Sequence, residues 1–173
     1  HINQQRSLLT AIVSNANEAI IGLNHQGQVL SWNQAATELF GYSTEQALGW
    51  TLAALIVPME QQNQEAWLLN QLMAGYSIHG LDTVRRHQQG HSIAVSINAS
   101  PIDASRDDVT GFAVTIHDIS QLKAAELTIR QHNQQLEAEV SARTAEIAQV
   151  SALQTSMLNS THYAVIATDL NGI

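Results

Sequence analysis

Between Asp118 and Gly172 the chain contains no glycine and no proline, and its apolar residues recur at alternating steps of four and three. The repeating positions are Leu122, Glu126, Ile129, Asn133, Leu136, Val140, Arg143, Ile147, Val150, Gln154 and Met157, and seven of these eleven are apolar. A period of 3.5 held over so many turns is the spacing that keeps one helix in register against another. Asn133, Val140 and Ile147 fall at a, and Leu122, Ile129, Leu136 and Val150 at d. β-Branched residues at a with leucine at d favour two parallel strands. The expected dimer seam is therefore Leu122, Ile129, Asn133, Leu136, Val140, Ile147, Val150 and Met157, and the expected partner is a second copy of the chain. Asn133 would pair with its symmetry mate and fix the register. Glu126, Arg143 and Gln154 weaken the seam, which suits two nearly equal packings better than a permanent clamp. The competing use of such a helix is to fold back onto the chain's own globular part.

The remaining length allows one domain of ordinary size beside that helix. Residues 3–16 carry Leu8, Leu9, Ile12 and Val13 at helical spacing. Ala19–Leu23 is a short apolar run, followed by a turn at Asn24 to Gly27 and a second strand over 28–32. Residues 33–40 read as a short helix, capped by Asn33 and ended by Gly41. Ser43 and Gln46 form a capping box for another short helix, which Gly49 stops. Over 59–74 a stripe of Trp67, Leu68, Leu69, Leu72 and Met73 predicts a helix ending at Gly75.

The period then changes to two, over 80–88, 91–102 and 109–118, with a polar loop at 103–108. Leu81, Thr83 and Arg85 share one side of the first of these strands. The fold class is α+β: a five-stranded antiparallel sheet with short helices on one face, then a long coiled-coil helix. Asp118 is placed to N-cap that helix, with Gln121 completing a capping box.

Residues 164–172 lie over 19–27 as a short repeat, and Met157 and Leu158 lie over Ile12 and Val13. A recurring unit is the mark of an array. The expected division is a leading helix at 1–17, a domain at 18–119, a coiled-coil signalling helix at 120–158 and the start of a second domain of the same kind at 159–173.

Composition closes several functional classes. Fifteen acidic residues oppose seven basic ones, giving a net charge of −8, so the clustered lysine and arginine that phosphate binding needs are missing and no nucleic-acid partner is expected. No cysteine is present, which excludes disulfides, zinc-thiolate sites, cysteine nucleophiles and cysteinyl-flavin photochemistry. No apolar run approaches the ~20 residues of a membrane span and no signal peptide is visible, so a cytoplasmic location without membrane contact is expected. Acidic residues are scattered, and neither a nucleophile–base motif nor a phosphate-cradling glycine loop occurs. No catalytic residue and no metal site are expected.

The stretch WNQAATELFGY, residues 32–42, follows a strand and the Gly27 turn, and resembles the corresponding segment of PAS domains. EQALG at 45–49 resembles the next piece of the same pattern. Gln89-Gly90 resembles the family's Asp-Gly turn, and His117-Asp118-Ile119-Ser120 its closing Asp-Ile-Thr motif, with Ser for Thr. The resemblance covers residues 5–120. It implies a sensory and dimerisation module of a bacterial signalling protein, of histidine kinase or diguanylate cyclase type in a two-component or related system. It also implies room for a small ligand between sheet and helices, and transmission of strain through Asp118, Ile119 and Ser120 into the following helix; the alternative functions are a ligand-free dimerisation spacer, or a haem- or flavin-binding redox or gas sensor. A downstream module and output domain would be partners in the full protein.

Candidate pocket residues are Trp32, Trp67, Leu68, Leu72, Met73, Val95, Ile97, Val114 and Ile116, which otherwise fill the interior by close packing. The chain is expected to hold no cofactor. The alternatives are a small organic ligand, a flavin flanked by Trp32 and Trp67, or a haem with His79 as axial ligand. His132 lacks the surroundings of a phospho-accepting histidine, and Arg85-Arg86 reads as a solvated pair on an edge strand.

Overall fold

Alternation of apolar and polar residues sets the sheet. In the computed structural model, which describes Val13 and residues 16–102 and 111–170, with the backbone alone for 161–170, five strands pair antiparallel in the order β2-β1-β5-β4-β3. They are β1 (Ala19–Leu23), β2 (Val29–Trp32), β3 (Ile78–Arg86), β4 (Ser92–Ile102) and β5 (Gly111–Asp118). The predicted helix at 3–16, apart from Val13 and Ala16, the predicted loop at 103–108 and the first two residues of the strand predicted at 109–118 lie outside the described residues. Every second residue is buried through β1, from Ile93 to Ala99 in β4 and from Phe112 to Ile116 in β5, because successive side chains of a strand face opposite ways. Register brings the buried members together: Ile21 opposes Val114, and Ile97 opposes Ile116, with the half-buried Leu81 on its other side.

Between β2 and β3 run α1 (Gln34–Phe40), α2 (Thr44–Ala47), α3 (Leu52–Ile56), a 3-10 turn at Met59–Gln61 and α4 (Gln62–Met73). Both predicted caps of α1 are present: the Asn33 side chain accepts from Ala36 N, and Gly41 closes the helix at φ 83°. A Cβ at Gly41 would come within 2.6 Å of the His87 ring, so close approach and left-handed backbone both demand glycine there. The Ser43–Gln46 capping box also forms. Helix α3 has no counterpart in the sequence reading. Thr51 caps it, and Leu52, Leu55 and Ile56 are buried.

Helix α5 (Ser120–Leu170) spans 51 residues, about 75 Å at 1.5 Å per residue. It runs on through 164–170, where the repeat predicted a strand. A helix closes its own backbone hydrogen bonds, whereas a lone strand needs a neighbour to supply them. Residues 16–123 and 124–170 form separate compact units.

Candidate functional site

The inner face of the sheet and the helices enclose one apolar cluster, which contains Trp32, Leu68, Leu72, Val95, Ile97, Val114 and Ile116. Trp32 packs tilted on Phe40 with ring centroids 5.8 Å apart, and its indole N–H donates to the Tyr42 carbonyl at 3.2 Å. Two of the predicted pocket residues lie elsewhere. Trp67 is 49 % exposed and Met73 51 %. The inward face of α4 is Glu65, Leu68 and Leu72, spaced three and four apart, and at 100° per residue Trp67 and Met73 flank that face rather than lie on it. With Trp67 turned to solvent, the expected pair of tryptophans does not flank one interior space. His79 is also exposed. It stands in β3, which starts at Ile78, and not in a loop. An interior haem needs an inward-facing imidazole, which this residue does not provide.

A polar cluster that the sequence reading did not find lies under α4. Arg85 is fully buried, so the expected solvated arginine pair is half wrong. Its Nη2 donates to Glu65 Oε2 at 2.8 Å, with side-chain exposures of 0 % and 4 %. Its Nη1 donates to the Val84 carbonyl at 3.1 Å and to Thr83 Oγ1 at 3.4 Å. The Thr83 hydroxyl in turn donates to Gln64 Oε1 at 2.6 Å. Burial raises the Glu65 pKa against the opposing pull of Arg85, and burial lowers that of Arg85. A signal was present: Glu65 stands three residues before Leu68 on the apolar stripe, and Arg85 shares the parity of Leu81 and Thr83.

The sheet ends in a hydrogen-bonded junction. Ile119 is 6 % exposed, its N–H donates to the Ala94 carbonyl at 2.9 Å, and its own carbonyl accepts from Lys123 N at 2.9 Å. Asp118 Oδ1 accepts from Ser120 N at 2.8 Å. Because α5 starts at Ser120, Ile119 occupies the N-cap position and Asp118 caps from one residue earlier, a shift from the predicted geometry. Lys123 Nζ lies 3.0 Å from Asp82 Oδ2 on β3. The Asp82 carboxyl is held below its ordinary pKa, first by the hydrogen bond from Lys123 and then by that from Ser96.

Along α5 the apolar members of the seam, Leu122, Ile129, Leu136, Val140, Ile147, Val150 and Met157, are 49 to 69 % exposed. Shallow grooves between them are lined by Leu136, Val140, Arg143 and Ile147, and by Ile147, Val150 and Gln154. No helix among the described residues is long and apolar enough to cross a membrane.

Residues 7–119 match the family model described as PAS fold, and the chain belongs to that family. No curated protein matches it significantly. Solved structures do. The PAS domain of a protein from Colwellia psychrerythraea is 24 % identical over 70 % of this chain and 99 % of its own, with a TM-score of 0.60. The PAS domain of nitrogen regulation protein NR(II) from Vibrio parahaemolyticus is 25 % identical over 65 % of this chain and 98 % of its own, at 0.53. An RNA-binding Light-Oxygen-Voltage receptor is 17 % identical, covering 78 % of this chain and 38 % of its own, at 0.66.

Proposed function

We propose that the chain is a sensory and dimerisation module of a bacterial signal-transduction protein, and that it passes a change in its sheet into a parallel two-helix coiled coil. The supporting observation is the continuity of one pattern. Ile119, buried at the end of the sheet, stands seven residues before Glu126 and so takes the a position of the heptad whose apolar members are exposed on a single chain. Each such side chain gains about 1 kcal/mol or more on leaving water, and a second copy offers the matching row. Glu126, Asn133, Arg143 and Gln154 keep the pairing from becoming irreversible, so that two packings differ little in energy and a signal can choose between them.

Similarity to the NR(II) PAS domain and to a PAS domain described as from a two-component sensor histidine kinase favours a histidine kinase output in the full protein over the diguanylate cyclase that the family resemblance also allows. The chain itself carries no catalysis in this reading. It works in the cytoplasm, and the repeat at 159–173 leads into a second module.

The absence of cysteine makes the test direct. Val140→Cys, at a, should form an intermolecular disulfide under mild oxidation, whereas Ala145→Cys, on the opposite face, should not. Sedimentation should give a dimer mass. A monomer, or equal cross-linking at both positions, would overturn the proposal.

A further inference from the structure

We infer that a contact between His132 of one copy and Glu137 of a second copy makes the coiled coil tighten as pH falls through the range in which imidazole takes up a proton. The inference rests on the parallel pairing proposed above and adds a regulator to it. The seam sets the phase. His132 precedes Asn133 at a and so stands at g, and Glu137 follows Leu136 at d and so stands at e. In a parallel pair in register, a g residue lies beside the e residue five positions on in the other copy, and charges at these positions govern pairing. Both side chains are exposed on the single chain, so they are available to a second copy.

From Ala125 to Leu158 no other g and e residues set opposite charges together. Arg130 at e lies opposite Ala125, and Glu139 and Glu146 at g lie opposite Thr144 and Ser151. Glu139 also meets Arg143 of its own chain at 3.4 Å. Two leucines outside the seam obey the same rule. Leu153 at g and Leu158 at e are 56 % and 71 % exposed, and the alignment that joins His132 to Glu137 sets them against each other. One register therefore satisfies a charge pair and an apolar pair.

Few other charges face His132. Thr128, Ile129, Gln135 and Leu136, one turn away on its own helix, carry none. Across the seam the next charge after Glu137 is Arg130, one heptad earlier. A neutral imidazole offers the carboxylate a single N–H, whereas the imidazolium adds its charge. A proton held more tightly in the dimer than in the monomer favours pairing while it is bound, so the gain is present in acid and is lost as pH rises. The Glu126 carboxylates, which meet at a, and the charge of −8 on each copy also favour pairing in acid, but neither depends on His132.

Sedimentation equilibrium of the full chain at about pH 8 and about pH 6, on either side of the ordinary imidazole value, reads the effect. The contact occurs twice in a symmetric dimer. At the strength usual for exposed ion pairs, the dissociation constant should be about fivefold lower at the lower pH. His132→Gln and Glu137→Gln should each remove most of that response, and the exchange of the two residues, His132→Glu with Glu137→His, should restore it. A wild-type constant that does not change with pH, a fall of the same size in His132→Gln, or no recovery in the exchanged variant would each overturn the inference. A dimer of equal affinity at the two pH values removes this inference alone, and a monomer at both removes the pairing and this inference with it.

Discussion

Lys123 in the first turn of α5 reaches Asp82 on the edge strand at 3.0 Å, so the helix is tied by a side chain to the strand farthest along the sheet from β1 and β2. Both partners are about half exposed, and pairs of that kind add little to global stability. Its expected role is local. Asp82→Asn should leave the denaturation midpoint almost unchanged while hastening hydrogen exchange at the Ile119 and Lys123 amides, with β4–β5 amides unaffected. Because the Asp82 pKa is lowered, the tether is complete above the ordinary carboxylate value, near 4, and is lost only as pH falls through the lower folded value. Exchange at the two amides should therefore be flat from pH 8 to about 5 once corrected for intrinsic rates.

The Glu65–Arg85 pair should behave in the opposite way. Both side chains are buried, and removing one partner strands the other's charge. Glu65→Leu should cost about 3–5 kcal/mol in urea denaturation. The double variant Glu65→Leu, Arg85→Met should be clearly more stable than that single variant, because it leaves no orphaned charge. A double variant at least as unstable as the single would show that the pair contributes through something other than mutual neutralisation.

Asn33 is tied to four backbone groups. Its Oδ1 accepts from Ile20 N at 2.9 Å and Ala36 N at 3.0 Å, and its Nδ2 donates to the carbonyls of Val13 at 3.0 Å and Glu18 at 2.9 Å. Asn33→Asp keeps the helix cap and both accepted bonds. It loses both donors and sets a carboxylate against two carbonyls. The expected loss is roughly 3 kcal/mol, since each unmade bond to a buried group costs about 1–3. Chemical denaturation measures it, and mild acidification should restore part of the loss by protonating the new carboxyl.

At the β3–β4 turn the imidazoles of His87 and His91 stack with centroids 4.3 Å apart and planes 17° from parallel. His87 Nδ1 accepts from Gln89 N at 3.1 Å, which requires that nitrogen to be unprotonated. Burial first, and the neighbouring His91 second, lower the His87 pKa. A histidine with a depressed folded pKa binds its proton more weakly in the folded state, so its contribution is present above the unfolded value near 6.5 and is lost as pH falls from there through the lower folded value. NMR titration should show His87 below that value. His91→Gln should raise it, because one of the two causes is gone.

The legible parts of this chain were those whose cause is local. The Asn33 cap, the Ser43–Gln46 box and the alternation of β4 and β5 each depend on residues a few positions apart, and all are found as read. Helix α3 has five residues, too few for a period to show. Arg85 looked solvated because the partner that makes its burial tolerable is 20 residues distant: the parity it shares with Leu81 and Thr83 marks its side of the strand, but not the carboxylate that meets it there. The wide apolar stripe over 59–74 concealed its own direction. One carboxylate, Glu65, turns inward to meet Arg85, and Trp67 and Met73 are left outside. The candidate interior was thus legible in its strands and in Leu68 and Leu72, but not in the polar residues that give it chemistry.

The seam makes the last prediction. Asn133 is the only a position between Glu126 and Val140, and in a parallel pair it would meet its own symmetry mate. A buried asparagine pair lowers affinity while it penalises every register in which the two amides fail to meet. Asn133→Leu should tighten the dimer on the order of tenfold or more, about 1.4 kcal/mol for each tenfold step, as read by sedimentation equilibrium. It should also remove the penalty on other registers. With Val140→Cys as reporter, cross-linking should become slower or heterogeneous even though the dimer is tighter. In the full-length protein the same change should blunt the response to signal, because a deeper single well leaves less for a small change in the sheet to shift. A tighter dimer with an undiminished response would place the relay outside the seam.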